Sequence, residues 1–147
     1  SYLWYSASAW ALAASATISL IFSCHHQDAA SAPSRSCWSD SLVVSTPLLL
    51  EYEAVLTRPE HLSTSRASAE DVSLVLDDVA ACSDWVRLDY LWRPQLGDMD
   101  DEMVLETAVN GQADVLVTFN LADLAKAAVR FGIRALRPGS LVRMVEA

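Results

Sequence analysis

Between Asp98 and Glu106 the chain places five acids in nine residues, Asp98, Asp100, Asp101, Glu102 and Glu106, with no base among them. Carboxylates crowded in this way repel one another unless a cation gathers them. Thr118, Asn120 and Asp123 follow the apolar run Val115–Val117, and Glu51 and Glu53 lie further upstream on a helical pattern. Oxygen donors of this kind suit a hard divalent ion, which needs neither His nor Cys. Cys24 with His25 and His26 has no spacing that builds a zinc site, because adjacent residues on one segment rarely converge on one metal.

The elements that must carry these acids can be read from periodicity. Ser41–Ser45 is a short β-branched run closed by Thr46-Pro47, so a buried strand should pass into a helix over Pro47–Thr57, stopped at Arg58-Pro59. Glu51 and Glu53 fall on opposite margins of that helix's apolar stripe, and periodicity alone does not choose between them. Residues 60–67 read as a polar loop. Ser68 and Asp71 form an S-x-x-D capping box for a helix ending near Ser83, in which Cys82 is a small buried hydrophobe, and Trp85–Tyr90 alternates like a half-exposed strand.

Asp101–Asn110 is the next helix, ended by Gly111. Val115–Thr118 is a strand buried on both faces, Ala122–Phe131 a helix stopped by Gly132, and Ile133–Leu136 a last strand. Glu102 and Glu106, at i and i+4, are expected on the solvated face, whereas Asp101 falls on the packed side and points at the sheet edge. Asn120 and Asp123 either cap the helix that follows them or face a ligand, since open α/β sheets bind ligands beyond the carboxyl ends of their strands. Alternating strands and helices imply an α/β fold, a three-layer sandwich about a mainly parallel sheet.

Residues 41–147 resemble the PIN-domain nucleases, in particular the bacterial branch of toxin components of toxin–antitoxin systems. The resemblance is carried by VVSTPLLLEYEAVLTRP (43–59), by WRPQLGDMDDEMVLETAVNGQADVLVTFNLADL (92–124) and by the order of elements between them. It implies a metal-dependent endoribonuclease, with Mg²⁺ or Mn²⁺ held by Glu51, Asp101 and Asp123, Asp98 as an outer-sphere helper, and Thr118 and Asn120 positioning substrate, water or ligands. The ions would activate water and stabilise the leaving oxygen. An RNA substrate, a cognate antitoxin protein, a homodimer and a cytoplasmic location, with no membrane, are further implications. No His lies near the acids in sequence to support a histidine-based nuclease.

The first 40 residues depart from that pattern. PIN domains open with a strand ending in Asp, which should fall near position 13, where the chain reads Leu12-Ala13-Ala14; Asp28 is the first acid. The chain therefore divides into an atypical segment, 1–40, and a PIN-like domain, 41–147. A shifted reading frame, truncation or divergence would each produce such a segment, and the abrupt return of the pattern near Ser41 favours the shifted frame. Loss of the first Asp makes a catalytically impaired PIN-like module, binding RNA or protein, the alternative function. Ser1–Ser23 has no charge, the length of a membrane span, but no flanking bases to orient it, so a core strand within Ala16–Phe22 is expected instead.

Composition agrees with a single folded unit. The 147 residues are 52% hydrophobic, enough for a core, which excludes disorder throughout. Residues 1–40 carry Asp28, Asp40 and Arg35, and residues 41–147 carry 17 acids against 9 bases. Diffuse binding to nucleic acid needs clustered bases, so an acidic chain takes RNA as substrate only if its acids are gathered at an ion.

Overall fold

The structure is a computed structural model describing residues 19–23, 42–91, 95–97 and 99–146, without the side chains of Cys82, Met99, Asp100, Val142 and residues 144–146. Its elements are β1 (Leu20–Phe22), β2 (Val43–Val44), α1 (Thr46–Leu56), α2 (Pro59–Ser65), α3 (Ala69–Cys82), β3 (Asp84–Trp85), α4 (Met99–Asn110), β4 (Val115–Val117), α5 (Leu121–Arg130), β5 (Arg134–Leu136) and α6 (Pro138–Glu146). β2 pairs with β3 and β4 with β5, both in parallel, as strand–helix–strand crossovers require. β1 runs antiparallel to β4, with Leu20 opposite Val117 and Phe22 opposite Val115, and an antiparallel bridge from Phe22 to Leu42 joins it to the β2 side.

The strands thus form a three-stranded sheet, β1-β4-β5, and a two-stranded one, β2-β3, linked by that bridge, and helices cover both faces of the larger sheet, giving the three-layer α/β sandwich expected from the sequence. Successive strand residues point to opposite faces. Ile21 and Leu116 pack with Leu48, Val104, Leu124 and Ala128 from α1, α4 and α5. Val115 and Val117 pack with Leu141 of α6 on the other side.

Local signals explain most boundaries. Ser45 caps α1, its hydroxyl accepting from Leu48 N. Ser68 and Asp71 form the expected capping box, and hydrogen bonding to the Asp71 carboxyl from the Ser68 backbone N–H, with the Ser68 hydroxyl beside it, holds that carboxyl below its ordinary value. α5 ends at Phe131 with Gly132 at φ +74°, as the glycine signal requires. Gly111 ends α4 for a different reason. The left-handed residue there is Gln112, and a Cβ on Gly111 would lie 2.8 Å from a Val43 methyl and 2.9 Å from both the Thr107 carbonyl and a Val86 methyl.

Four expectations change. Residues 60–67 are not a loop, because Pro59 starts a helix over Pro59–Ser65. The strand expected over Trp85–Tyr90 is confined to Asp84–Trp85, and beyond it the Asn110 side chain holds Tyr90 by donating to its carbonyl and accepting from its N–H. α6, starting at Pro138, lies beyond the last element expected. Glu102 and Glu106 are fully buried rather than solvated, because α4 is covered by α1, α5, β1 and β2 together and keeps no solvated face for them.

Candidate active site

β4 delivers the site. Val115, Leu116 and Val117 are buried, Thr118 is the first polar residue beyond them, and its N–H donates to the Leu136 carbonyl of the neighbouring β5. The Thr118 hydroxyl then accepts from the Asn120 N–H at 3.0 Å, which turns the chain toward α5 and fixes the Asn120 backbone. From there Asn120 Nδ2 donates to Asp101 Oδ2 at 3.1 Å and to Asp123 Oδ2 at 3.0 Å. One amide thus holds together two carboxylates from the first turns of separate helices, α4 and α5, where the macrodipole also favours negative charge.

The opposite wall comes from β1. Because β1 is antiparallel, its amino end lies beside the carboxyl end of β4, and buried Ser19 donates from its hydroxyl to Thr118 Oγ1 at 3.0 Å. The Ser19 carbonyl accepts from the Tyr52 hydroxyl, so α1 is tied to the same edge. Burial pushes the Tyr52 phenol well above its ordinary range. Neighbouring Glu51 is half-buried, whereas Glu53 turns into a groove between α1 and α3 lined by Leu50, Val72, Leu76 and Asp77. The structure thereby separates two acids that periodicity left equivalent.

Two hydroxyls at the end of β2 complete the frame. Thr107 donates to the Met103 carbonyl at 2.7 Å, which leaves its oxygen to accept from Ser45 at 2.7 Å; both side chains are fully buried. Beside the site, Glu102 Oε1 accepts from the Gln95 and Leu96 N–H groups at 2.7 and 2.9 Å, fixing the segment that leads into α4.

Asp101, Asn120 and Asp123 are therefore brought together, with Thr118 beneath them. Glu51 makes no hydrogen bond to them among the described residues, and Asp98, Asp28, Cys24, His25, His26 and position 13 lie outside those residues. Among the described residues no three His, Cys, Asp or Glu side chains are arranged as a ready-made metal cage. The oxygen donors are nevertheless of the kind that a hard divalent ion takes. Two carboxylates drawn onto one hydrogen-bond donor mark a cation-favouring point, and Mg²⁺ takes one or two carboxylates while keeping several waters. Ser19, Tyr52 and Phe119 were not singled out by sequence reasoning; for Ser19 the available signal was its place directly before the apolar run Leu20–Phe22.

No helix among the described residues is long and apolar enough to cross a membrane. No curated protein and no solved structure matches the chain. A family model described as PIN domain matches residues 11–122, beginning inside the segment that the charge pattern sets apart. PIN domains are a nuclease-type α/β fold whose members generally use divalent metal ions. With about three quarters of its length matched, from the approach to β1 through the Asn120 turn, the chain belongs to the PIN-domain family.

Proposed function

We propose that this chain is a metal-dependent endoribonuclease of the toxin–antitoxin type, hydrolysing RNA phosphodiester bonds with Mg²⁺ or Mn²⁺ and restrained by a cognate antitoxin protein in the cytoplasm, with a homodimer as its assembly. The observation that carries this reading is the convergence of Asp101 and Asp123 on Asn120 at the carboxyl end of β4. Bound there, a divalent ion would lower the pKa of a coordinated water and offset charge developing at phosphorus. Asp101 and Asp123 would supply the anionic oxygens. Asn120, its backbone fixed by Thr118, holds both carboxylates in one orientation before any ion arrives, which reduces the reorganisation that binding demands. Glu51 and Asp98 complete the proposed acid set, Glu51 from the helix whose Tyr52 reaches the same edge.

A second reading has its own support. β1 runs antiparallel to β4 and brings Ser19, a neutral hydroxyl rather than an acid, to this edge, and the sequence has no acid near position 13, where the family pattern expects its first. That arrangement favours a catalytically impaired PIN-like module that binds RNA or protein. Titrating Mg²⁺ into the purified chain with a labelled RNA distinguishes the two: cleavage that rises with Mg²⁺ and stops with a chelator supports the enzyme, and RNA retained intact throughout supports the binding module.

A further inference from the structure

Large apolar side chains stay exposed together in one short stretch, Trp85 at 51%, Tyr90 at 67% and Leu91 at 64%. Among the described residues β3 pairs with β2 alone, on one of its two edges. The Asp84 and Val86 N–H groups donate to the Leu42 and Val44 carbonyls, both at 2.7 Å, and the Tyr90 N–H and carbonyl are taken by the Asn110 side chain. Even-numbered residues thus turn their backbone groups toward the body of the chain. Alternation along the chain turns those of Trp85, Arg87, Asp89 and Leu91 outward.

That edge is complementary to itself. When two identical copies pair antiparallel about Leu88, Arg87 of each copy stands opposite Asp89 of the other, and Trp85 of each stands opposite Leu91. All four residues turn their backbone groups outward, so each such pair can exchange both of its N–H···O bonds. Charge selects this register. A pairing centred on Arg87 sets two guanidinium groups against each other, and one centred on Asp89 sets two carboxylates together. Within a single copy the same groups meet locally: the Asp89 N–H donates to the Arg87 carbonyl at 3.1 Å, and Arg87 Nε lies 3.5 Å from Asp89 Oδ1. Those side chains are 91% and 64% exposed, where an ion pair contributes little, so exchanging it for two between copies loses little.

We infer that the outer edge of β3 and the chain beyond it, Trp85–Leu91, is the docking surface for a second copy of this chain, the two copies joined as an antiparallel strand pair about Leu88. The inference rests on the homodimer of the proposed function and on none of its chemistry. An open strand edge is a template for such pairing, and the exposed apolar side chains at its two ends supply area to bury. One strand from each copy falls short of the roughly 20–30 residues a side of a standard interface, so a dissociation constant in the micromolar range is expected.

The test is sedimentation velocity over a concentration series, in which the unmodified chain should pass from monomer to dimer. Arg87→Asp and Asp89→Arg should each weaken self-association by at least about 10-fold, because each sets two like-charged pairs across the strands. Their thermal midpoints should change little at such exposed positions. An equimolar mixture of the two variants should restore the dimer, since each supplies the charges that the other lacks, and no contact within one copy can produce that rescue. Variants that dimerise as tightly as the unmodified chain, or a mixture that stays monomeric while the unmodified chain dimerises, would overturn the inference and leave a homodimer through another surface standing. A monomer at every concentration would overturn the inference and the homodimer together. A chain that dimerises in this way but never cleaves RNA supports the inference and sinks the nuclease reading alone.

Discussion

The Ser19 hydroxyl donates to Thr118 Oγ1 at 3.0 Å across 99 positions of sequence, and the antiparallel sense of β1 makes that contact. Were β1 parallel to β4, its carboxyl end would lie at this edge. Instead that end is at Phe22, whose carbonyl accepts the Asp114 N–H at the far end of β4. A neutral hydroxyl, and not a carboxylate, therefore occupies this edge.

Ser19→Asp should accordingly convert the edge into a stronger cation site. Ser19 is buried, so a carboxylate there carries a desolvation cost in the absence of an ion and should lower the thermal midpoint. Millimolar Mg²⁺ should then raise the midpoint of Ser19→Asp more than that of the unmodified chain, because an ion that binds only the folded state stabilises it by mass action. Equal Mg²⁺ responses in thermal melts would refute the placement of residue 19 beside the acid pair.

The tie between Tyr52 and the Ser19 carbonyl has a pH signature. Removing the hydroxyl in Tyr52→Phe leaves a buried carbonyl unpaired, at a cost of about 1–3 kcal/mol near neutral pH. Because burial raises the folded-state pKa above the ordinary 10.0, the unfolded chain ionises first as pH rises. Tyr52 thus lends full stability below about pH 10, and that stability is lost at higher pH. Urea midpoints of the unmodified chain should fall above that value while those of Tyr52→Phe show the smaller decline.

Glu102→Ala should loosen the approach to α4. Its carboxylate receives two backbone N–H groups, from Gln95 and Leu96, and truncation should cost about 1–3 kcal/mol. Hydrogen exchange at those two amides should accelerate, with exchange in α1 and α3 changing little beyond the global loss of stability. Unchanged exchange at both amides would contradict this role.

Gly111→Ala tests the packing of α4 against β2. The added methyl would meet the Thr107 carbonyl, which cannot yield without moving the helix, so a loss of about 1–3 kcal/mol is expected in denaturant unfolding. A variant as stable as the parent would mean that the close approach to Val43 is absent.

Much of this architecture was legible because its signals are local. Pro47 at the start of its helix, the Ser68–Asp71 box and Gly132 each act within a few residues and set α1, α3 and α5. The grouping of polar residues after Val115–Val117 was likewise visible, since a buried strand must end where polar residues begin. Strand direction was not, because Leu20–Phe22 reads the same in either sense and pairing with β4 alone decides it. Nor was the burial of Glu102 and Glu106, since helical periodicity assumes one solvated face and α4 is enclosed by four other elements. Glu51 and Glu53 diverge for a similar reason, Glu53 being drawn to the groove against α3.

The central proposal is that Asp101 and Asp123, held by Asn120, form the seat of metal-dependent RNA cleavage. Its most direct test is the Mg²⁺-dependent cleavage rate of a single-stranded RNA by the unmodified chain and by Asp101→Asn, which preserves shape and removes the charge. A fall on the order of 100-fold or more in Asp101→Asn, with its thermal midpoint little changed, is the expected result. Equal rates from the two proteins would contradict it.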